Sequence, residues 1–188
     1  MKVRFDPEKH HRHSIRLQGF DYTQPGGYFV TICTYERRNL FGRVVDGRMQ
    51  LNRYGEIVRE EWFRTAEIRP YVVLRADEFV VMPNHVHGII WIVRNESEDP
   101  AGAIGPIAPA GGNVRPRGPA PHSLGAIVGQ FKSVVSRRIN LLRGTPGGPV
   151  WQRNYWERVV RSWHSLERIR RYIAENPVRW ELDRENRG

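Results

Sequence analysis

Cysteine is almost missing from this sequence: Cys33 is the only one. No disulfide can close within the chain, which excludes the stapled secreted scaffolds and points to a reducing, cytoplasmic setting. Long apolar runs are missing too, so no stretch reads as a membrane span, and the first residues lack the apolar core of a secretory signal. No basic amphipathic helix stands out as a surface anchor, so no membrane partner is expected. Acidic residues are in deficit, with twenty Asp and Glu against thirty Lys and Arg, a formal charge of +10 and a pI near 10.4. Most of the excess is arginine, which grips phosphate with two nitrogens and stacks on bases, so a polyanionic partner is expected.

What remains is enough for one domain. The chain has 188 residues, of which 39% are hydrophobic, so a core can form. Residues 1–19 read as a basic N-terminal arm containing His10, His11 and His13, with Arg12 and Arg16 placed to touch phosphates. Residues 20–188 read as the domain. From Tyr28 to Tyr35 the chain is rich in β-branched and aromatic residues and reads as a strand. Asp46-Gly47 sits between two short extended runs, the pattern of a β-hairpin. Asn52 caps an expected helix carrying Ile57, Val58, Trp62 and Phe63. An extended segment runs from Tyr71 to Met82, Pro83-Asn84 breaks it, and Val86 to Val93 is the next strand.

Residues 95–121 are rich in Pro, Gly and Ala and read as a flexible insertion; lacking Gly-Lys-Ser/Thr, the stretch is not a P-loop. Ser123 caps a helix to about Arg143, a short strand ends at Val160, and a last helix starts near Ser165 and stops at Asn176-Pro177. Without the hairpin, the order is strand, helix, strand, strand, helix, strand. The expected fold class is therefore α+β: a ferredoxin-like split βαβ, an antiparallel sheet with helices on one face, plus the added hairpin.

Chemistry concentrates at two places. In Pro83-Asn84-His85-Val86-His87, side chains on a strand alternate, so His85 and His87 share a face about 7 Å apart along it and can converge on one divalent ion. The pair is expected to face a site and not the core. On the last helix Tyr172 and Asn176 are four apart and share a face. A tyrosine oxygen can act as a nucleophile and an amide oxygen can ligate Mg²⁺ or Mn²⁺. Spacing alone leaves another reading open, in which Tyr172 packs on the sheet and Asn176 caps the helix.

The run Met82 to His87, with Phe131-Lys132-Ser133, Trp151-Gln152-Arg153-Asn154-Tyr155-Trp156-Glu157 and Arg171-Tyr172-Ile173-Ala174-Glu175-Asn176-Pro177 downstream, resembles the single-tyrosine HUH transposases. Within them the chain is most similar to the REP-associated tyrosine transposases of bacteria, from about Arg16 to Trp180. The resemblance implies metal-dependent cleavage and rejoining of single-stranded DNA hairpins through a 5′-phosphotyrosine. It implies Tyr172 as nucleophile and His85, His87 and Asn176 as ligands of Mg²⁺ or Mn²⁺. Arg12, Arg16, Lys132, Arg137, Arg153, Arg158 and Arg161 are the expected nucleic-acid contacts. The protein would work in the bacterial cytoplasm beside the nucleoid, as a monomer or homodimer. Arg158 departs from the family, which often has histidine after the residue matched by Glu157. Two alternatives are a non-catalytic DNA- or RNA-binding module on the same fold, and a zinc hydrolase that would need Asp77 or Glu78 as a further ligand.

Overall fold

The computed structural model describes residues 20–93 and 118–182. The N-terminal arm with Arg12 and Arg16, and most of the insertion expected at 95–121, lie outside the described residues. At the centre of the sheet is β1 (Gly26–Cys33), antiparallel on one side to β6 (His85–Ile92) and on the other to β7 (Trp156–Val160). Two short strands, β4 (Val72–Val73) and β5 (Phe79–Met82), pair with the far side of β6. This gives the order β4/β5–β6–β1–β7, that of the split βαβ fold, and a mixed α+β architecture as expected. The hairpin β2 (Gly42–Val45) and β3 (Arg48–Leu51) stands apart as a two-stranded sheet. Asp46 and Gly47 turn it with φ of 49° and 69°, the left-handed pair that a tight primed turn requires.

Local chemistry sets the helix starts. The Asn52 side chain accepts the backbone N–H groups of Tyr54 and Gly55 at the head of α1 (Arg53–Glu67). Ser123 does the same for Ala126 in α2 (Leu124–Leu142). The third helix, α3, spans Trp163–Glu175 and is capped by Ser162, whose side chain accepts the Ser165 N–H. It therefore begins ahead of the expected Ser165, because Ser162 is the hydroxyl with a free N–H within reach.

Both faces of the sheet are covered, by different helices. Tyr28, Val30, Ile32, Val86 and Ile90 pack with Ile57, Val58 and Trp62 of α1 and Leu124, Ile127, Val128, Phe131 and Val135 of α2. Each fully buried aliphatic here contributes roughly 1.5–3 kcal/mol. Gly88 belongs to this face for a steric reason: a Cβ there would stand 2.4 Å from the Trp62 ring, which stacks on Phe79 with ring centroids 4.5 Å apart. The alternate residues Phe29 and Ile89 pack with Leu166, Ile169 and Ile173 of α3. The expectation of helices on one face thus holds for α1 and α2, while α3 covers the opposite face, the one that carries His85 and His87. The expected continuous segment from Tyr71 to Met82 is also divided, by a 3₁₀ turn at Ala76–Glu78. No helix among the described residues is long and apolar enough to cross a membrane.

Candidate functional site

Pro83-Asn84 is the two-residue turn of the β5–β6 hairpin, since Met82 and His85 are directly paired. The Pro83 carbonyl accepts the N–H groups of Leu40 and Phe41, which fixes the turn. His85 is thereby the first residue of β6, and the pairing His85↔Cys33 and His87↔Thr31 puts all four side chains on the α3 side of the sheet. The two imidazoles meet: His85 Nε2 lies 2.9 Å from His87 Nε2. Their other nitrogens are engaged by the protein. His87 Nδ1 is 2.8 Å from the Thr31 hydroxyl and His85 Nδ1 is 2.8 Å from Asn84 Oδ1. Because Asn84 Nδ2 donates to the Arg37 carbonyl at 3.2 Å, its oxygen faces His85, and His85 Nδ1 is the donor. The His85 Nε2 lone pair then points at its neighbour.

The pair does not lie open at the surface. His85 is fully buried and His87 is 2% exposed. Burial, helped by the proximity of His85, holds the His87 pKa well below the ordinary imidazole value, so it is neutral at physiological pH. Neutral imidazole is the form that ligates cations.

From above, α3 brings Tyr172 and Asn176. The Tyr172 hydroxyl is 3.2 Å from His87 Nε2, and its ring stands edge-on to both His87 and Phe29. Tyr172 is 44% exposed, so its oxygen can be reached from outside. Asn176, one turn further on, is buried, and its Oδ1 has no hydrogen-bond partner among the described residues. His87, Tyr172 and Asn176 line one cleft of about 830 Å³ with Thr31, Arg37 and Trp156. Beside it the backbone is strained: Glu36 and Arg37 both take φ of 55°, a left-handed conformation that non-glycine residues seldom adopt.

A divalent cation fits these residues. Two Nε2 atoms face one another with their Nδ1 partners already set, and a buried amide oxygen on the same cleft is unsatisfied. Among the described residues no three His, Cys, Asp or Glu side chains cluster as a metal site, so a third protein donor would be of another kind, and the Asn176 amide oxygen is one. Glu78, one of the two carboxylates on which a zinc hydrolase could draw, is instead engaged by Arg170 and Trp91.

The expected nucleic-acid contacts divide. Arg158 and Arg161 are exposed and line a trough beside the cleft, and Arg153 is exposed on the segment that forms its wall. Lys132 and Arg137 do not reach the cleft. The Lys132 ammonium turns inward and donates to the carbonyls of Gln152 and Arg153 at 2.7 and 3.0 Å, and Arg137 is exposed on α2, across the sheet. Glu157 pairs with Val30 and so faces away from the histidines, whereas Arg158 pairs with Phe29 on their side. Sequence reasoning missed Thr31 and Asn84 as partners of the imidazoles. Asn84 could have been suspected from its place beside His85, but Thr31 is found only through the strand register.

No family model matches the chain. An uncharacterized protein of Haemophilus influenzae (strain Rd) is 37% identical over 183 residues, which is 97% of each chain. A solved structure of a REP-associated tyrosine transposase bound to a REP hairpin superposes with a TM-score of 0.51 at 17% identity, over 89% of this chain and 76% of that one. A proposed transposase of Deinococcus radiodurans R1 is more distant, with a TM-score of 0.41, 19% identity and coverage of 85% and 95%. This protein and the Haemophilus influenzae protein are therefore members of one family, carried on a transposase-type, ferredoxin-like fold.

Proposed function

We propose that the protein cleaves and rejoins single-stranded DNA at hairpins through a 5′-phosphotyrosine. One observation carries this reading: an accessible tyrosine hydroxyl stands 3.2 Å from one of two imidazoles whose Nε2 atoms face each other. The likeness in fold to a transposase bound to a REP hairpin supports it. The Tyr172 oxygen forms a bond to the scissile phosphorus as the bond from phosphorus to the 3′ oxygen breaks. The phenol proton leaves to the solvent in the cleft, and the departing 3′ oxygen takes one up. Energy stays in the phosphotyrosine ester, so a 3′-hydroxyl can reverse the step without ATP. Asn84 holds His85 in one tautomer, and the Thr31 hydroxyl fixes the orientation of the His87 ring. His85, His87 and Asn176 would hold Mg²⁺ or Mn²⁺, which polarises the phosphate as a Lewis acid. The setting that fits is the bacterial cytoplasm beside the nucleoid, with the protein acting as a monomer or homodimer.

The test is Tyr172→Phe, which removes one oxygen and almost no volume. The variant should bind a hairpin oligonucleotide within about threefold of the parent yet form no covalent protein–DNA band on a denaturing gel. Tyr155→Phe, whose ring lines the same cleft, should still form the band. An adduct with Tyr172→Phe and none with Tyr155→Phe would move the nucleophile. No adduct from the parent in either metal would favour the non-catalytic binding module.

A further inference from the structure

The short turn after β1, Tyr35–Arg37, ends on the wall of the candidate cleft, where Arg37 lies with His87 and Tyr172. Glu36 and Arg37 take the left-handed conformation in succession, which is unfavourable for any residue with a Cβ. The surroundings enforce it. The Arg37 N–H donates to the Thr34 carbonyl at 3.1 Å, and the Tyr35 N–H donates to the Val150 carbonyl at 2.8 Å. The Thr34 hydroxyl donates to the Asn84 carbonyl at 2.9 Å. The Arg37 carbonyl in turn accepts from the Asn84 side chain, the one that sets His85. The turn is thus built onto the histidine pair, and its second strained residue brings a guanidinium to the cleft. Backbone strain held this firmly beside a site marks a side chain that is being aimed.

The charge of the cleft points the same way. Its charged lining residues are Arg37, Glu175 and Arg179. Glu175 and Arg179 pair with each other at 2.9 Å, and Glu36, the acid next to Arg37, pairs with Arg38. Two arginines and one glutamate leave the lining with the net charge of one arginine. A phosphodiester carries one negative charge, shared by two non-bridging oxygens, and a guanidinium presents parallel N–H donors that match them. When an oxygen nucleophile attacks the phosphorus, charge builds on those oxygens, and a cation already fixed in place stabilises it without reorganising.

We propose that Arg37 is a catalytic residue whose guanidinium grips the non-bridging oxygens of the phosphodiester that Tyr172 attacks. The proposal rests on the reading of the cleft as a strand-cleavage site. Arg37 transfers no proton and stays charged throughout. While the bond from the Tyr172 oxygen to phosphorus forms and the bond from phosphorus to the 3′ oxygen breaks, it holds the charge that gathers on the other two oxygens. The backbone of the same residue steadies Asn84 and, through it, His85, so one turn places both the phosphate and the imidazole pair.

The experiment removes the charge from each side of the contact in turn. In a hairpin oligonucleotide, a methylphosphonate replaces one non-bridging oxygen by a methyl group and neutralises a single linkage. It is placed successively at each linkage around the foot of the stem. Affinity is read by fluorescence anisotropy on the full chain carrying Tyr172→Phe, so that nothing is cut. One linkage should stand out, where the methylphosphonate weakens binding about tenfold through loss of a charge-assisted contact. With Arg37→Gly added, the same change should cost less than about twofold. Glycine is at ease in the left-handed region, so this variant loses the guanidinium without new backbone strain. Arg37→Gln takes its place if the glycine chain does not fold. Each comparison sets two substrates against one protein, so a general loss of fold cannot imitate the result. With Tyr172 restored, Arg37→Gly should form the covalent band about 10²-fold more slowly at saturating hairpin, and Arg37→Lys should return to about a tenth of the parent rate. The proposal fails if no linkage depends on Arg37, or if Arg37→Gly forms the band as fast as the parent. A linkage that depends on Arg37 in a parent that never forms an adduct keeps the phosphate contact but overturns its catalytic role and the cleavage reading together. An adduct without such a linkage keeps the cleavage reading and overturns the role of Arg37.

Discussion

At the residue scale, the imidazole pair is part of the interior as well as of the site. Sequence reasoning placed it facing a site and not the core, and the structure makes it both, because α3 and the Trp180 ring, 6.0 Å from that of His85, lie over it. His85→Ala and His87→Ala should therefore abolish the covalent adduct and also lower the unfolding free energy by about 1–3 kcal/mol, the cost of leaving Asn84 or Thr31 without its buried partner. Urea denaturation separates the two effects. Chelation by EDTA should suppress adduct formation by the parent with no such loss of stability, and Mg²⁺ or Mn²⁺ should restore it. Lys132 gives a second residue-scale expectation. Burial lowers its pKa to about 8 from the ordinary lysine value of 10.5. Between those values the unfolded chain binds a proton that the folded one has lost, so this group's contribution to stability rises with pH from about 8 to 10.5. Measured against Lys132→Met by urea midpoints, the parent should gain ground across that window and show no relative change from pH 6 to 7.

At the scale of elements, the position of Tyr172, the proposed nucleophile, depends on how α3 is seated. Arg170 and Tyr172 flank the buried stripe of Leu166, Ile169 and Ile173 on opposite sides, since two residues turn a helix by about 200°. Arg170 sends Nε and Nη2 to Oε1 of the fully buried Glu78, at 3.0 and 2.7 Å, while Trp91 donates to Oε2 at 2.6 Å. This clamp fixes the roll of the helix. A side-chain tip ~6 Å from a helix axis moves ~1 Å for a roll of about 10°, and an error of that size can cost ~10²-fold in rate. Glu78→Gln should therefore slow adduct formation about 10²-fold while hairpin affinity changes less than about threefold. It should also lower stability by about 1.5–3 kcal/mol, because a buried charge-assisted hydrogen bond is lost while Arg170 keeps its pair with Glu167. Equal losses in binding and cleavage would show that the clamp holds the fold and not the nucleophile. None of this was legible in the sequence, nor was the face that α3 occupies. The amphipathic pattern of α3 shows that one side is buried but not against what, and β1 offers apolar residues on both faces, Tyr28, Val30 and Ile32 on one and Phe29 on the other. What was legible followed from local rules: the period of two that puts both histidines on one face, the Asn52 and Ser123 caps, and the Asp46-Gly47 turn.

At the scale of the whole molecule, a charge of +10 would make the proposed affinity for nucleic acid dependent on salt. Binding to a hairpin with a single-stranded flank should weaken on a log–log plot with a slope of about −0.7 per phosphate contacted on the single strand. Removing an arginine that truly touches a phosphate should make the slope shallower by that amount, whereas Arg137→Ala, across the sheet on α2, should leave it unchanged. The same fold also sets an order in time. The phenol of Tyr172 and the imidazole it meets are 85 positions apart, and the phenol is synthesised second. At the usual pace of translation, roughly 4–17 s pass between the two residues. For most of that interval a nascent chain carries the imidazoles without β7, and until its end without the whole of the helix that seats Tyr172. On the proposed chemistry, a chain truncated anywhere before residue 172 lacks its nucleophile and is harmless to the genome of the cell that made it.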